Sequence, residues 1–285
     1  MHYLLVWLKM ALPRLPVGDG VEIAVEWIEI HFGGLLDFLS TILGVFIDGF
    51  KDALLFLPPL AMIVFITILV WVISRRNLRT AAGTFLGLLL IESLNLWSLS
   101  METLALVISS TVVALIIGIP VGILCSRNDN VNTIVTPLLD LMQTMPPFVY
   151  LIPAVIFFGL GNVPGIIATV VFAMPPTIRL TNLGIRQVPR DLIEVADAFG
   201  STPRQKLFKV QLPLALPTIM AGVNQCIMLS LSMVVIAAMI GARGLGYQVL
   251  VGIQRVDIGT GFEAGLGIVI IAMILDRITR SLTER

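Results

Sequence analysis

Along most of the chain, apolar residues run on for some twenty positions at a time before a short polar break interrupts them. About 20 such residues in a helix cross the hydrocarbon core of a bilayer, and the pattern predicts seven crossings. Residues 53–73 carry no charge and are bounded by Lys51 and Asp52 on one side and by Arg75 and Arg76 on the other. Residues 81–97 include Glu92, placed toward the Trp97 end at the interface. Residues 104–125 follow, with Gly118, Pro120 and Gly122 crowding the last turns. Residues 134–160 hold Pro137, Pro146, Pro147 and Pro153 together with Asp140 and Gln143, which predicts a bent or broken span. Residues 164–180, 214–240 and 262–278 complete the set.

Residues 1–52 read differently. The stretch 1–8 is too short for a signal peptide, and Lys9 follows it directly. Leu35, Leu39, Ile42, Phe46 and Phe50 recur every three or four positions, with Asp37, Asp48 and Lys51 elsewhere on the wheel. That is the pattern of a helix lying in the outer membrane–water interface. The alternative, an eighth crossing running into residue 53, is interrupted by Asp48, Lys51 and Asp52.

Composition agrees with a polytopic all-α membrane protein: 57% of the 285 residues are hydrophobic and 13% charged, about half the charge of a soluble domain. Eighteen Lys+Arg balance eighteen Asp+Glu, so the basic footprint of a nucleic-acid binder is absent. Basic loops stay in the cytoplasm. With Arg75, Arg76 and Arg79 placed inside, alternation also puts inside Arg127, Arg179, Arg186, Arg190, Arg204, Lys206, Lys209, Arg277, Arg280 and Arg285. Only Lys9, Arg14, Lys51, Arg243 and Arg255 fall outside. This bias of thirteen to five orients the chain with its N-terminus outside and its C-terminus in the cytoplasm.

The longest polar stretch after the first crossing, residues 182–212, lies on the cytoplasmic side and reads as two short helices. The first, 190–199, follows Pro189 and stops at Gly200. The second opens with Thr202, Pro203, Arg204 and Gln205, an N-cap, a first-turn proline and a residue placed to close a capping box, and ends at Leu212 and Pro213. Asp191, Glu194 and Asp197 line one side of the first helix and Ile193, Ala196 and Phe199 another, while Arg204, Lys206 and Lys209 make the second basic. By charge pattern alone this is either a solvated hairpin whose halves neutralise each other or a docking element for a cytoplasmic partner.

Glu194-Val-Ala196-Asp-Ala-Phe-Gly200, nine further residues, then Val210-Gln-Leu212-Pro213 resembles the EAA motif of type I ABC importer permeases. Val195 replaces the second motif residue and Val210 an isoleucine, and both keep an apolar side chain. The resemblance extends over residues 99–280. Leu138 to Pro153, Arg179 to Pro189 and Gly222 to Gln225 are similar to the glycine betaine/proline betaine subfamily. It implies three parts: an extracytoplasmic segment 1–52, accessory helices 53–98, and a type I transmembrane domain 99–280 with the coupling loop 182–212. It further implies a homodimer in the lipid bilayer, an ABC ATPase carrying ATP and Mg, and an external substrate-binding protein. Glu194, Ala196, Phe199 and Gly200 are then the ATPase-coupling residues, and the substrate is glycine betaine or a related compatible solute, with choline, carnitine and proline as alternatives.

The chain itself carries no catalytic machinery. Gly44 to Gly49 has the glycine spacing of a phosphate loop, but Phe50 stands where lysine is needed. His2 and His31 are the only histidines, and Cys125 and Cys226 the only cysteines, so no metal site or nucleophilic triad can be composed. Gly241 to Gly246 reads as a tight, mobile turn near the outer gate or as a plain reentrant turn. Gln143, Asn224 and Gln225 either tie helices together or line a translocation path, for buried polar groups in spans are costly. Phe148 and Tyr150, with Phe157 and Phe158, could offer cation–π faces to a quaternary ammonium group or simply fill the core. A channel or secondary transporter would call for internal repeats or an ionisable midplane site; neither is found, and no binding domain follows Arg285, which makes the binding protein a separate chain.

Overall fold

The computed structural model describes residues 16–283. The segment 1–8, His2, Lys9, Arg14 and Arg285 lie outside the described residues. Those described form helices α1 (Val17–Leu55), α2 (Pro59–Ile73), α3 (Leu78–Ser93), α4 (Trp97–Arg127), α5 (Asp129–Thr144) and α6 (Pro147–Phe158). They continue with α7 (Asn162–Ala173), α8 (Pro175–Arg186), α9 (Arg190–Ala198), α10 (Pro203–Lys206), α11 (Leu212–Ala238), α12 (Leu245–Arg255) and α13 (Ile258–Thr283).

Among the described residues, five stretches are long and apolar enough to cross a membrane: 18–55, 97–127, 162–186, 203–238 and 258–282. A sixth is the pair α5 and α6, bent by 99°. The bend falls where the prolines put it. Pro146 and Pro147 cannot donate to the α5 ladder, and Met145 turns extended ahead of them.

Several boundaries differ from the sequence reading. Residues 17–55 form one helix of 39 residues, about 58 Å long, in place of a short interfacial helix and a break. Asp48 pairs with Lys51 at 3.1 Å on the helix surface, so the charges that argued for a break are met within one turn. α2 and α3 have 15 and 16 residues, about 22–24 Å each, short of the ~30 Å core. α2 ends at Ile73, as expected, and is short because it starts only at Pro59, whereas Asn95 (φ 56°) closes α3 before Trp97, which instead opens α4. Asn182 and Arg186, placed in a loop by hydropathy, lie on α8.

The core forms where α2, α3, α4, α7, α11, the start of α12 and the middle of α13 meet, around Ile63, Leu88, Met101, Leu106, Val107, Ile166, Cys226, Val234 and Leu245, and α8 packs on α4 and α11. α4 and α8 touch backbone to backbone: a Cβ on Gly122 would sit 2.6 Å from Thr181 Cβ and 2.8 Å from the Ile178 carbonyl. Small residues at such crossings are what hold helices together in lipid.

The Gly241 to Gly246 turn is tight but pinned. Gly241 and Gly244 have φ of 89° and 114°. Gly161 N–H donates to Ile240 O (2.9 Å), Arg243 N–H to Asn162 Oδ1 (2.9 Å) and Leu245 N–H to Thr103 Oγ1 (2.8 Å). Bonds to α7, to α4 and to the loop before α7 pin this turn, for which a mobile turn and a plain reentrant turn are the two sequence expectations. The residues after it form α12, a helix that hydropathy left as loop.

Candidate functional site

α9 is short because both its ends are specified. Pro189 (φ −53°, ψ 133°) starts it. At the other end Gly200 takes φ 72°, its N–H donates to Asp197 O, and Ser201 N–H reaches back to Ala196 O. That pair of bonds is a Schellman stop, with glycine in the left-handed position. Thr202 and Gln205 close a reciprocal capping box on α10. The chain then passes through one π turn, Leu207–Gln211, into α11 without a stop at Pro213. Pro213 has no N–H to donate and follows directly on the π turn, whose Leu212 N–H reaches back five residues to Leu207 O, so the loop helix and the span behind it are joined as one rod of 36 residues.

This unit is tied to the body. Lys206 Nζ donates to Asp197 Oδ1 and Oδ2 at 2.6 and 2.8 Å. Arg127 Nη2 donates to Pro203 O at 2.9 Å from the end of α4. Leu207 is buried with Ile185, Ala215 and Ile219.

The four coupling candidates sit together on α9 and its stop, but not on one face. Glu194 is exposed, and no hydrogen bond or ion pair reaches it among the described residues. Ala196 is buried at 7% exposure against the chain's own fold, which corrects its placement on the same strip as Phe199. The exposed apolar strip is instead Leu192, Val195 and Phe199, spaced three and four apart, with Phe199 86% exposed.

The path candidates fall in two places. Gln143, Phe148 and Tyr150 flank the elbow between α5 and α6; Phe148 is half exposed, while Tyr150 donates its hydroxyl to Met142 O at 2.6 Å. Tyr150 therefore splints the elbow. Asn224, on α11, donates to Asp276 Oδ1 (3.1 Å) and accepts from Thr279 Oγ1 (2.8 Å), both on α13. This is the interhelical tie among the two readings of Asn224, with Asp276 as its acceptor. Gln225 beside it is exposed.

The sequence reading missed a polar clamp between α5 and α8. Arg186 donates to Cys125 O (2.7 Å), Asp129 Oδ1 (2.6 Å) and Asn182 Oδ1 (2.8 Å), and Asn182 donates to Asn132 Oδ1 (2.7 Å). Arg179 binds Asp140 at 2.7 Å. Asn182 and Arg186 stand four apart and Asp129 and Asn132 three, so helical spacing offered a signal once 175–186 was read as helix.

On the periphery, Asp257 accepts from the Thr260 hydroxyl (2.8 Å) and amide (3.2 Å) at the start of α13. The Thr260 side-chain bond, more than any other influence, holds the Asp257 carboxyl below the usual aspartate range.

Comparison with known proteins bears on the same regions. The profile of the family described as "Binding-protein-dependent transport system inner membrane component" matches residues 118–285. The chain is 52% identical to the glycine betaine transport system permease protein OpuAB of Bacillus subtilis over 95% of both chains. It is 49% identical to the glycine betaine/proline betaine transport system permease protein ProW of Escherichia coli, covering 94% of this chain and 75% of that one. Among solved structures, an inward-facing MetNI methionine ABC transporter superposes with a TM-score of 0.59 at 22% identity, over 64% of this chain and 91% of that chain.

Proposed function

The chain belongs to the family of binding-protein-dependent transport system inner membrane components, and from that membership we propose that it is the permease subunit of an ATP-driven ABC importer for glycine betaine or a closely related compatible solute. As a transport component of that family it is not itself a catalyst, and its partners are an ATPase and a substrate-binding protein. We further assign it to a homodimer, with ATP and Mg held by the ATPase, its C-terminus and residues 190–213 in the cytoplasm, and its N-terminus outside.

The observation that carries this reading is the construction of α9. A helix fixed at both ends, locked by Asp197 to Lys206 and continuous through α10 with a span, presents Leu192, Val195 and Phe199 to solvent. An apolar strip on a rigid lever serves a partner that pushes, because closing motion in the partner is delivered to α11 rather than absorbed by the loop. Glu194 and Gly200 act in this lever as exposed acceptor and helix stop, and Ala196 as the small residue that lets α9 seat on its own chain. Phe148, Gln143 and Gln225 remain as candidates for the path.

Cells lacking other betaine uptake, given this chain with its ATPase and binding protein, are expected to accumulate glycine betaine and to grow better at high osmolarity. A reconstituted system that moves an unrelated solute and ignores betaines overturns the substrate. Cysteines at Asp19 and Arg204 are expected to label from opposite faces; labelling from one face overturns the orientation.

A further inference from the structure

A cavity of about 400 Å³ opens between the first turns of α3 and the C-terminal half of α13, with Arg79 and Arg277 at its mouth. Its shape follows from two glycines. A Cβ on Gly87 would lie 2.8 Å from Ile270 Cγ2, so α3 and α13 touch there, whereas a Cβ on Gly83, one turn earlier, would meet nothing within 4 Å. The helices converge at Gly87 and splay toward the arginines. Met273 and Ile274 line the opposite wall, and Met273 is 55% exposed.

The charges at this end are unequally engaged. Arg280 is paired with Asp276 at 2.9 Å, and Arg76 lies over the Trp71 ring at 5.8 Å. Arg79 and Arg277 are exposed, and no hydrogen bond or ion pair holds either guanidinium among the described residues. The Asn77 side chain already accepts from the Arg79 and Thr80 amides, so the positive charge facing the cleft comes from the two guanidinium groups. Arg79 stands on the first turn of α3 and Arg277 in the last turns of α13, so both charges sit at the polar ends of apolar helices.

We propose that this cleft binds an anionic phospholipid, its phosphate between Arg79 and Arg277 and an acyl chain descending past Gly83 over Met273 and Ile274. Guanidinium groups pair with phosphate through two parallel hydrogen bonds, and basic pockets between spans are a recognised form of headgroup site. The apolar wall below the arginines selects a lipid over a free phosphate, which would use only the mouth. The small side of α3 leaves room for the chain, and the α3–α13 contact at Gly87 closes the cleft's lower end. A lipid held there would fill the seam where the accessory helices meet the rest of the bundle. The inference requires only that the chain spans a membrane and does not depend on which solute is carried.

The test uses the full chain, co-purified with its ATPase from bilayers of equal phosphatidylglycerol and phosphatidylcholine, with retained lipid quantified by mass spectrometry. Phosphatidylglycerol is expected to be enriched in the wild-type sample. Arg79→Gln with Arg277→Gln is expected to lower the enrichment by about tenfold. Gly83→Phe, which projects into open space and leaves both arginines, should lower it as well. Arg76→Gln, outside the cleft, should leave it unchanged. Equal retention of the two lipids by the wild type, or wild-type enrichment in both cleft variants, overturns the site. So does an equal loss in Arg76→Gln, which would mark diffuse attraction. Displacement of the lipid by millimolar inorganic phosphate alone would make it a free-anion site and overturn the lipid assignment.

Discussion

The Lys206 ammonium donates to both carboxylate oxygens of Asp197, at 2.6 and 2.8 Å, and in doing so fastens α9 to the turn that leads into α11. The two residues are nine apart and belong to different helices, so the pair fixes an angle between them. Without it, α9 would still be a helix, ended by its own glycine, but one free to swing.

This separates stability from coupling. A partly exposed ion pair contributes up to about 1 kcal/mol, so Lys206→Met should leave the protein inserted and its melting temperature little changed. Transport in the assembled system should nonetheless fall several-fold, with ATP hydrolysis less dependent on substrate. Exchanging the charges, Lys206→Asp with Asp197→Lys, should restore part of the coupling. Unchanged uptake in Lys206→Met would mean that the pair is ornamental to the lever.

Asn224 tests the tie between α11 and α13. It bridges Asp276 and Thr279 through one donor and one acceptor. Interhelical hydrogen bonds in membranes contribute roughly 0.6–1.7 kcal/mol, so Asn224→Leu should lower thermal stability by about 1 kcal/mol while the apparent affinity for transported solute holds. A changed solute preference with unchanged stability would return Asn224 to the translocation path.

Asp257 gives a pH signature at the start of α13. Its folded carboxyl is held below the ordinary range by Thr260, so the stabilisation is present above the unfolded aspartate value and disappears as pH falls through the lower folded one. Hydrogen-exchange protection at residues 258–261, taken relative to the intrinsic rate at each pH, should fall on acidification in the wild type. In Asp257→Asn that step should be absent, and a persistent step would assign it to another group.

Legibility in the sequence followed the range of the interactions. The stop at Gly200, the Thr202–Gln205 box and the break at Pro146 and Pro147 depend on residues within a few positions, and each is where the sequence placed it. Hydropathy failed where a helix continues beyond its apolar part: Arg186 extends α8 because Asp129 and the Cys125 carbonyl receive its charge from α4 and α5, partners some sixty residues away. The same holds for α1, where a gap in the apolar pattern was read as a break although the backbone had no reason to leave the helix. Ala196 and Phe199 share a periodic stripe on the wheel, yet packing against residues 203–211 buries one and leaves the other outside. No local pattern distinguishes them.

That difference sets the last prediction. Phe199, 86% exposed, can be removed without touching the fold, so Phe199→Ser should keep insertion and abundance while weakening ATPase association. Ala196→Trp should act otherwise, because the buried site has no room and the α9 seat itself must shift. Its lesion should appear as protease sensitivity within residues 190–210 as well as lost transport. Gly200 lies between these cases. A Cβ there meets nothing within 4 Å, so the obstacle is the φ of 72°, which costs an L-residue roughly 1 kcal/mol or more and a β-branched one most. Gly200→Asn should therefore retain most uptake and Gly200→Val little, with both proteins equally abundant. Glu194→Ala, at a solvated position, should be the mildest of the set. Equal and normal uptake by Gly200→Val and Phe199→Ser would reduce α9 to a connector, since a lever cannot lose both its stop and its contact and still transmit.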